Sequence, residues 1–308
     1  MTNKIFDITI LTELKYINPT EINAYNQNVL LEDDLVFKAL LALDLRVNRV
    51  AWNDTDFDWG TTKYALFRTT WDYFKRIEAF NDWIKNTSRL TTFINSVSLI
   101  EWNIDKHYLQ DLRRKGIHIP KTLFIEPKEN LSLLQAIQKG KEELQFNSDE
   151  FVLKPCIAAG ARHTYKFHYS DWEKYNDVFQ ELVLHEAMIL QEFQKSIVDD
   201  GEISMMLFNG QFTHAVVKKA KKGDFRVQDD YGGTVDLYKA TKEQITFVEE
   251  VIKACQEKPV YARVDIFEDN EGKLALAELE IFEPELWFRL YPEAAKLFAT
   301  TIKERMLS

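Results

Sequence analysis

The sequence predicts a mixed fold, an α/β front followed by α+β lobes. Two patterns along the chain support this. Apolar strands alternate with amphipathic helices through the N-terminal third, whereas after Gln191 apolar runs come in pairs joined by short turns. A third observation is length: 308 residues exceed the usual size of one domain, so two or three subdomains sharing a site are expected. No repeats, low-complexity tracts or Gly/Ser linkers separate them. Boundaries are placed at residues 1–102, 103–190 and 191–308.

In the first unit, Ile8–Leu11 reads as a strand and Asp33–Leu45 as a helix with apolar residues at helical spacing. Val47–Trp52 and Tyr64–Arg68 are further strands. The polar–aromatic segment Thr69–Arg76 then leads to a helix over Ile77–Lys85. A second unit begins near Trp102. Asp105–Lys115 reads as a helix stopped by Gly116, with Pro120 soon after. Strand Thr122–Ile125, helix Leu131–Lys139 and strand Phe151–Lys154 follow. In the third unit, Ile203–Phe208 and Gln211–Lys218 flank Asn209–Gly210, a strong two-residue hairpin signal. Tyr261–Phe267 and Lys273–Ile281 form another pair, and an amphipathic helix over Glu293–Met306 closes the chain.

The composition, 45% hydrophobic and 29% charged, is that of a soluble globular protein. No apolar run approaches the ~18 residues of a membrane helix. Asp7 and Glu13 interrupt the first apolar stretch too early for a secretory signal. Cys156 and Cys255 lack metal-type spacing and read as reduced thiols of a cytoplasmic protein. A net charge of −10 argues against binding a nucleic-acid backbone, which requires a cationic footprint.

The most informative segment pairs Tyr261–Asp265 with Leu274–Glu280. Strand side chains alternate in direction, so Arg263 and Asp265 share a face, as do Glu278 and Glu280. Folding the hairpin about Asp269–Lys273 sets Asp265 opposite Glu278. Three carboxylates crowded away from water repel one another, and a divalent cation with a preference for hard oxygen ligands resolves the conflict. Spacing alone also permits another arrangement, with both glutamates in solvent on an edge strand and Asp265 paired to Arg263.

These residues resemble the ATP-grasp superfamily, in particular the branch containing bacterial glutathione synthetase and the ribosomal-protein glutamate ligase. The resemblance covers Trp102 to Ser308 through several motifs in order. Asn103–Leu109 is similar to the helix that brings a first ATP lysine, here Lys106. Val152–Pro155 resembles the strand carrying the second, Lys154. Ile189–Phe193 is similar to the hinge whose backbone reads adenine, here Gln191, Glu192 and Phe193. Gly223–Arg226 with Gly232–Gly233 resembles the segment whose arginine, Arg226, faces the reacting phosphate. Lys154–Arg162, Ala277–Pro284 and Phe67–Tyr73 further resemble the ATP-grasp ligases related to the one that closes the D-cycloserine ring.

The resemblance implies an ATP-grasp fold, with an N-terminal α/β substrate domain (residues 1–102) and two lobes clasping ATP (103–190 and 191–308). It implies an ATP- and Mg²⁺-dependent ligase, with Mn²⁺ as a possible substitute, joining a small-molecule carboxylate to an amine or amide through an acyl phosphate. Asp265, Glu278 and Glu280 fall where the family carries one or two Mg²⁺. Arg263 is the oxyanion arginine, a type of donor whose removal costs ~3–4 kcal/mol of barrier. Lys218 joins Arg226 near the γ-phosphate, and Glu202 is a candidate for the ribose hydroxyls, with a solvated turn charge as the other reading. Two departures stand out. Glu278-x-Glu280 replaces the usual Glu-x-Asn, and the loop after Lys154 holds only Gly160. Residues Lys219–Gly233 are a candidate cover, needed because an acyl phosphate hydrolyses in water. A homo-oligomer is open.

Arg68, Trp71, Asp72 and Tyr73, with Arg76, either line a substrate pocket, Arg68 forking to a carboxylate, or form an aromatic packing junction. His214 reads as structural, and nothing nearby marks Cys156 as an activated thiolate. His118, His163 and His185 carry no argument. Two rivals remain, a small-molecule kinase on the same cradle and a non-catalytic nucleotide-binding protein.

Overall fold

The structure, a computed structural model, describes residues 4–20, 22–221, 223–227 and 232–307. Its first sheet is parallel, in the order β2-β1-β3-β4, built from β1 (Phe6–Thr12), β2 (Val47–Ala51), β3 (Thr62–Thr69) and β4 (Thr92–Ile94). The crossovers carry helices α1 (Ala24–Leu41) and α2 (Ile77–Thr87). Parallel neighbours need such crossovers, which is why the N-terminal third shows strand–helix alternation. Helix α1 starts nine residues before the predicted Asp33, because Asn23 caps it by accepting the Asn26 N–H at 2.8 Å. It ends before Asp44, whose φ of 61° breaks the helical run.

Two helices follow: α3 (Val97–Ile104), which was not predicted, and α4 (Tyr108–Arg114), the helix predicted over Asp105–Lys115, starting three residues late. Asp105 is extended, and its carboxylate accepts the His107 N–H at 3.0 Å, a local bond that competes with helix continuation. Gly116 (φ 93°) ends α4 as expected. The second sheet, ordered β5-β8-β6-β7, is antiparallel and comprises β5 (Thr122–Ile125), β6 (Glu150–Pro155), β7 (Tyr165–His168) and β8 (Met188–Glu192). Helices α5 (Leu133–Leu144) and α6 (Trp172–Val183) cover one face, sharing a core of Ile137, Phe151, Phe179 and Leu190. A capping box of Ser132 and Gln135 starts α5 two residues later than predicted.

After the short α7 (Ser196–Asp199), the third sheet has the order β11-β10-β9-β12-β13, all antiparallel. Its strands are β9 (Glu202–Phe208), β10 (Gln211–Lys219), β11 (Thr234–Tyr238), β12 (Tyr261–Glu268) and β13 (Leu274–Glu280), with α8 (Lys242–Ala254) inserted after β11. Asn209 (φ 50°) and Gly210 (φ 78°) make the predicted turn between β9 and β10. The closing helix, α9 (Glu293–Leu307), packs on α1 and the first sheet.

Packing ties the three sheets together. Leu99, Leu109, Leu112 and Ile117 share a core with Met205, Val264 and Leu279 of the third sheet. Just past β4, the Asn95 amide donates to the Tyr261 and Ile281 carbonyls at 3.0 and 2.6 Å and accepts the Val260 N–H at 2.6 Å. Phe298 of α9 is fully buried, with ring centroids 5.2–5.4 Å from those of Phe208, Tyr261 and Phe288. Phe298→Ala is expected to cost about 3–5 kcal/mol of stability, measured as a lowered denaturation midpoint.

Candidate active site

A cleft of about 740 Å³ is lined by residues of the second and third sheets and by segments of the N-terminal unit that flank the first sheet. Its floor is the β12–β13 pair. The register sets Asp265 opposite Glu278 and Arg263 opposite Glu280, as strand alternation predicted. Carboxylate oxygens of Asp265, Glu278 and Glu280 lie within 4.8 Å of one another. The arrangement with both glutamates in bulk solvent is therefore excluded.

Cations hold this acidic group together. Arg263 donates through Nε and Nη2 to the two Asp265 oxygens, both at 2.9 Å, and Nη2 also bonds Glu280. Lys218 on β10 donates to Asp265 at 3.0 Å and pairs with Glu202 at the start of β9. Lys106 pairs with Glu278 at 2.8 Å and donates to the Ala158 carbonyl at 3.1 Å. The break between α3 and α4 sets up that reach. Lys106 sits between Asp105 and His107, and its own N–H donates to the Cys156 carbonyl at 3.0 Å.

The electrostatics follow. Burial works to raise the Glu278 pKa, but the ammonium groups of Lys106 and Lys154 outweigh it and leave the group lowered. Burial, reinforced by repulsion from Glu278 and Asp265, raises Glu280 to about 8 despite Arg263. The same desolvation raises Glu202 in spite of Lys218. A hard oxygen donor set with surplus negative charge suits Mg²⁺, so the residues present fit that ion.

Lys154 differs from the other lysines. Burial pushes its pKa down, and its side chain makes no hydrogen bond or ion pair among the described residues, although it lines the cleft. Beyond it the wall is Val152, Phe193, Phe225 and Phe267, an apolar slot. The hinge side chains serve the fold. Gln191 donates to Thr122 Oγ1 at 2.7 Å, and the Glu192 carboxylate accepts the N–H groups of Asn147 and Ser148. The Phe193 N–H is already given to the Glu150 carbonyl at 2.9 Å, and its carbonyl accepts the Asn270 amide at 2.9 Å. Arg226 lines the cleft, with its guanidinium bonded to Asp224 at 2.7 Å. Within the segment predicted as a cover, residues 222 and 228–231 lie outside the described residues.

The first domain contributes Lys15, Tyr16, Tyr25, Trp71, Tyr73, Phe74 and Lys75. Trp71 and Tyr73 thus reach the cleft, but Arg68 and Asp72 do not. Arg68 is 1% exposed, donates to the Pro284 carbonyl at 2.9 Å and lies over the rings of Phe288 and Phe298. It holds the segment after β13 rather than reaching the cleft. Asp72 accepts the Trp52 indole N–H at 2.7 Å and pairs with Arg76, turned into the aromatic core of the domain. Sequence reasoning missed Glu283, which lines the cleft, is 7% exposed and has a pKa raised well above the usual range by burial and by Glu280. Its place within Ala277–Pro284, one of the segments carrying the resemblance, was the available signal.

Residues 105–281 match the RimK-like ATP-grasp domain, more than half of the chain. This chain belongs to the RimK-like ATP-grasp family. Residues 8–95 match the D-cycloserine synthetase DcsG N-terminal domain. The cycloserine biosynthesis protein DcsG of Streptomyces lavendulae is 25% identical over 271 residues, 83% of this chain and 87% of that protein. The crystal structure of D-cycloserine synthetase DcsG superposes with a TM-score of 0.85 at 22% identity, covering 97% of this chain and 99% of that one. The ATP-grasp ligase PsnB, complexed with a phosphomimetic variant of its minimal precursor, Mg and ADP, gives 0.65 at 13% identity over 99% and 100%. The predicted fold and the class of ATP-consuming ligase therefore hold for this chain. Among the described residues no helix is long and apolar enough to cross a membrane.

Two consequences follow. Arg68→Ala is expected to lower stability by about 1–3 kcal/mol, leaving the Pro284 carbonyl without its partner, with no change in the KM for ATP. Denaturant melts and steady-state kinetics check both parts. Burial depresses His214 to about 4, its Nε2 lying 2.8 Å from the Leu286 carbonyl. The unfolded chain binds this proton near pH 6.5, so stability falls as pH drops from 6.5 towards 4. His214→Gln is expected to flatten that part of the stability–pH curve.

Proposed function

We propose that this ATP-grasp ligase activates a small carboxylate with ATP and joins it to an amine or amide nitrogen, with acyl phosphate as the intermediate. One observation carries the reading: Lys154, a cation without a partner among the described residues, faces a cleft whose floor gathers Asp265, Glu278 and Glu280. A triphosphate supplies the anion that Lys154 lacks. In this reading residues 1–102 form the substrate domain, and residues 103–190 and 191–308 are the lobes that clasp the nucleotide.

The adenine enters the slot of Val152, Phe193, Phe225 and Phe267, against hinge backbone groups of Gln191–Gln194. Glu202 accepts from the ribose hydroxyls. Lys106 and Lys154 hold the α- and β-phosphates, while Lys218 and Arg226 lie nearer the γ-phosphate. Asp265, Glu278 and Glu280 are the residues that would hold one or two Mg²⁺, or Mn²⁺ in its place, which when bound spreads the negative charge of the terminal phosphates. The substrate carboxylate attacks the γ-phosphorus and releases ADP. A nitrogen nucleophile then attacks the acyl carbon, and phosphate leaves as the tetrahedral intermediate collapses. Arg263 donates to the oxyanion of that intermediate. The segment 219–233 shields the acyl phosphate from water.

Trp71 and Tyr73, with Tyr16 and Phe74, form the substrate wall. The likeness of residues 8–95 to the DcsG N-terminal domain supports a small amino-acid-like substrate rather than a macromolecule. A kinase on the same cradle would leave phosphate on its product, whereas the ligase releases it free.

Asp265→Asn and Glu278→Gln are each expected to lower ADP formation by at least about a hundredfold, comparable to losing a main electrostatic element of a site. Circular dichroism should remain that of the folded protein. Undiminished turnover in both variants removes the metal assignment. Free phosphate is expected in a one-to-one ratio with ADP, measured by coupled assay, and phosphate retained on the substrate would support the kinase instead.

A further inference from the structure

Charge pairing across the cleft leaves one acid without a partner. Asp265 is bonded by Arg263 and Lys218, Glu278 by Lys106, Glu280 by Arg263 and Glu202 by Lys218. The Glu283 carboxylate lines the same cleft, is 7% exposed, and makes no hydrogen bond or ion pair among the described residues. Its backbone is fixed, because the Trp71 indole donates to the Glu283 carbonyl at 2.9 Å. The neighbouring Phe282 packs edge-on against Tyr73, with centroids 5.0 Å apart. Tyr16 stands edge-on to Trp71 at 6.0 Å and completes an aromatic wall that also lines the cleft. A buried carboxylate without a partner is costly unless it is neutralised or meets a cation.

We propose that Glu283 is the counter-ion for a protonated amino group of the substrate, beside the aromatic wall of Tyr16 and Trp71 that lines the same cleft. The site therefore selects a carboxylic acid bearing a free primary ammonium a few bonds from the carboxylate to be activated. Two features favour an ammonium over a second divalent ion. Glu283 does not belong to the group whose ligand atoms fall within 4.8 Å of one another, which is Asp265, Glu278 and Glu280. Aromatic faces attract an organic ammonium, whereas Mg²⁺ keeps its waters and prefers oxygen donors. Lys154 and Glu283, whose side chains make no hydrogen bond or ion pair among the described residues, then divide the cleft, Lys154 towards the triphosphate and Glu283 towards the substrate's cation. This assignment rests on the ligase reading above and names the group its substrate must carry.

Calorimetric titration of the full-length protein tests it, with D- and L-alanine and D- and L-serine as probes and their N-acetyl derivatives as controls. Each probe is run with and without AMP-PNP and Mg²⁺. At least one free amino acid is expected to bind, its N-acetyl form to bind more weakly by on the order of tenfold or more, and Glu283→Gln to lose a similar factor. In Glu283→Gln the affinity for AMP-PNP is expected to stay at the wild-type value. Glu283→Asp, which keeps the charge, should recover part of the loss and covers the case in which the glutamine variant does not fold. No binding of any free amino acid, equal binding of the acetylated forms, or full binding by Glu283→Gln overturns the assignment. Failure of AMP-PNP to bind the wild-type protein counts against the nucleotide reading instead, and the arm without nucleotide still decides the role of Glu283.

Discussion

The cleft depends on mutual neutralisation of charges that could not be buried singly. Asp265 is 1% exposed and survives there because Arg263 and Lys218 both donate to it. Removing any one of these three would strand the others in a low-dielectric site, a loss larger than the net contribution of the pairs themselves. Asp265 and Arg263 project from β12 and Lys218 from β10, with β9 between them in one antiparallel sheet, so the register of β9, β10 and β12 is an electrostatic requirement as well as a packing one. A slip of one residue would turn each side chain to the opposite face.

The proposed nucleotide end and the proposed substrate end of the cleft are built by different means. Lys154 stands near the end of β6 and Lys106 in the link between α3 and α4, so both lysines proposed to face the phosphates sit at element ends held by backbone hydrogen bonds. The proposed substrate wall instead comes from the first domain, where Trp71 and Tyr73 follow directly on β3. Arg68, near the end of β3, anchors the Pro284 carbonyl and so sets the path of the chain that carries Glu283.

Much of this was legible in the chain. Alternation along Tyr261–Asp265 and Leu274–Glu280 determined which carboxylates share a face, and Asn209–Gly210 determined a turn, because both depend on backbone geometry at neighbouring residues. The ordered motifs from Asn103 to Glu280 were sufficient to identify the family. Local pattern was less informative where a side chain competed with the backbone. The helix break at Asp105 arises from one carboxylate accepting one N–H, and no periodicity records it. Strands β7 and β11 are edge strands of four and five residues, each paired with the strand just before it, and so few residues carry little periodic signal.

What the sequence determined by itself was therefore the set of charges and their alternation. What only tertiary structure decided was which charges meet. Arg68 and Asp72 stand in the same polar–aromatic segment as Trp71 and Tyr73, yet the first pair turns into the protein and the second faces the cleft. Apart from its place in the Ala277–Pro284 segment, nothing in the sequence marks Glu283, whose carboxylate the fold buries without a hydrogen bond or ion pair among the described residues. Burial and pairing depend on what distant elements bring alongside, and separation along the chain carries no measure of that.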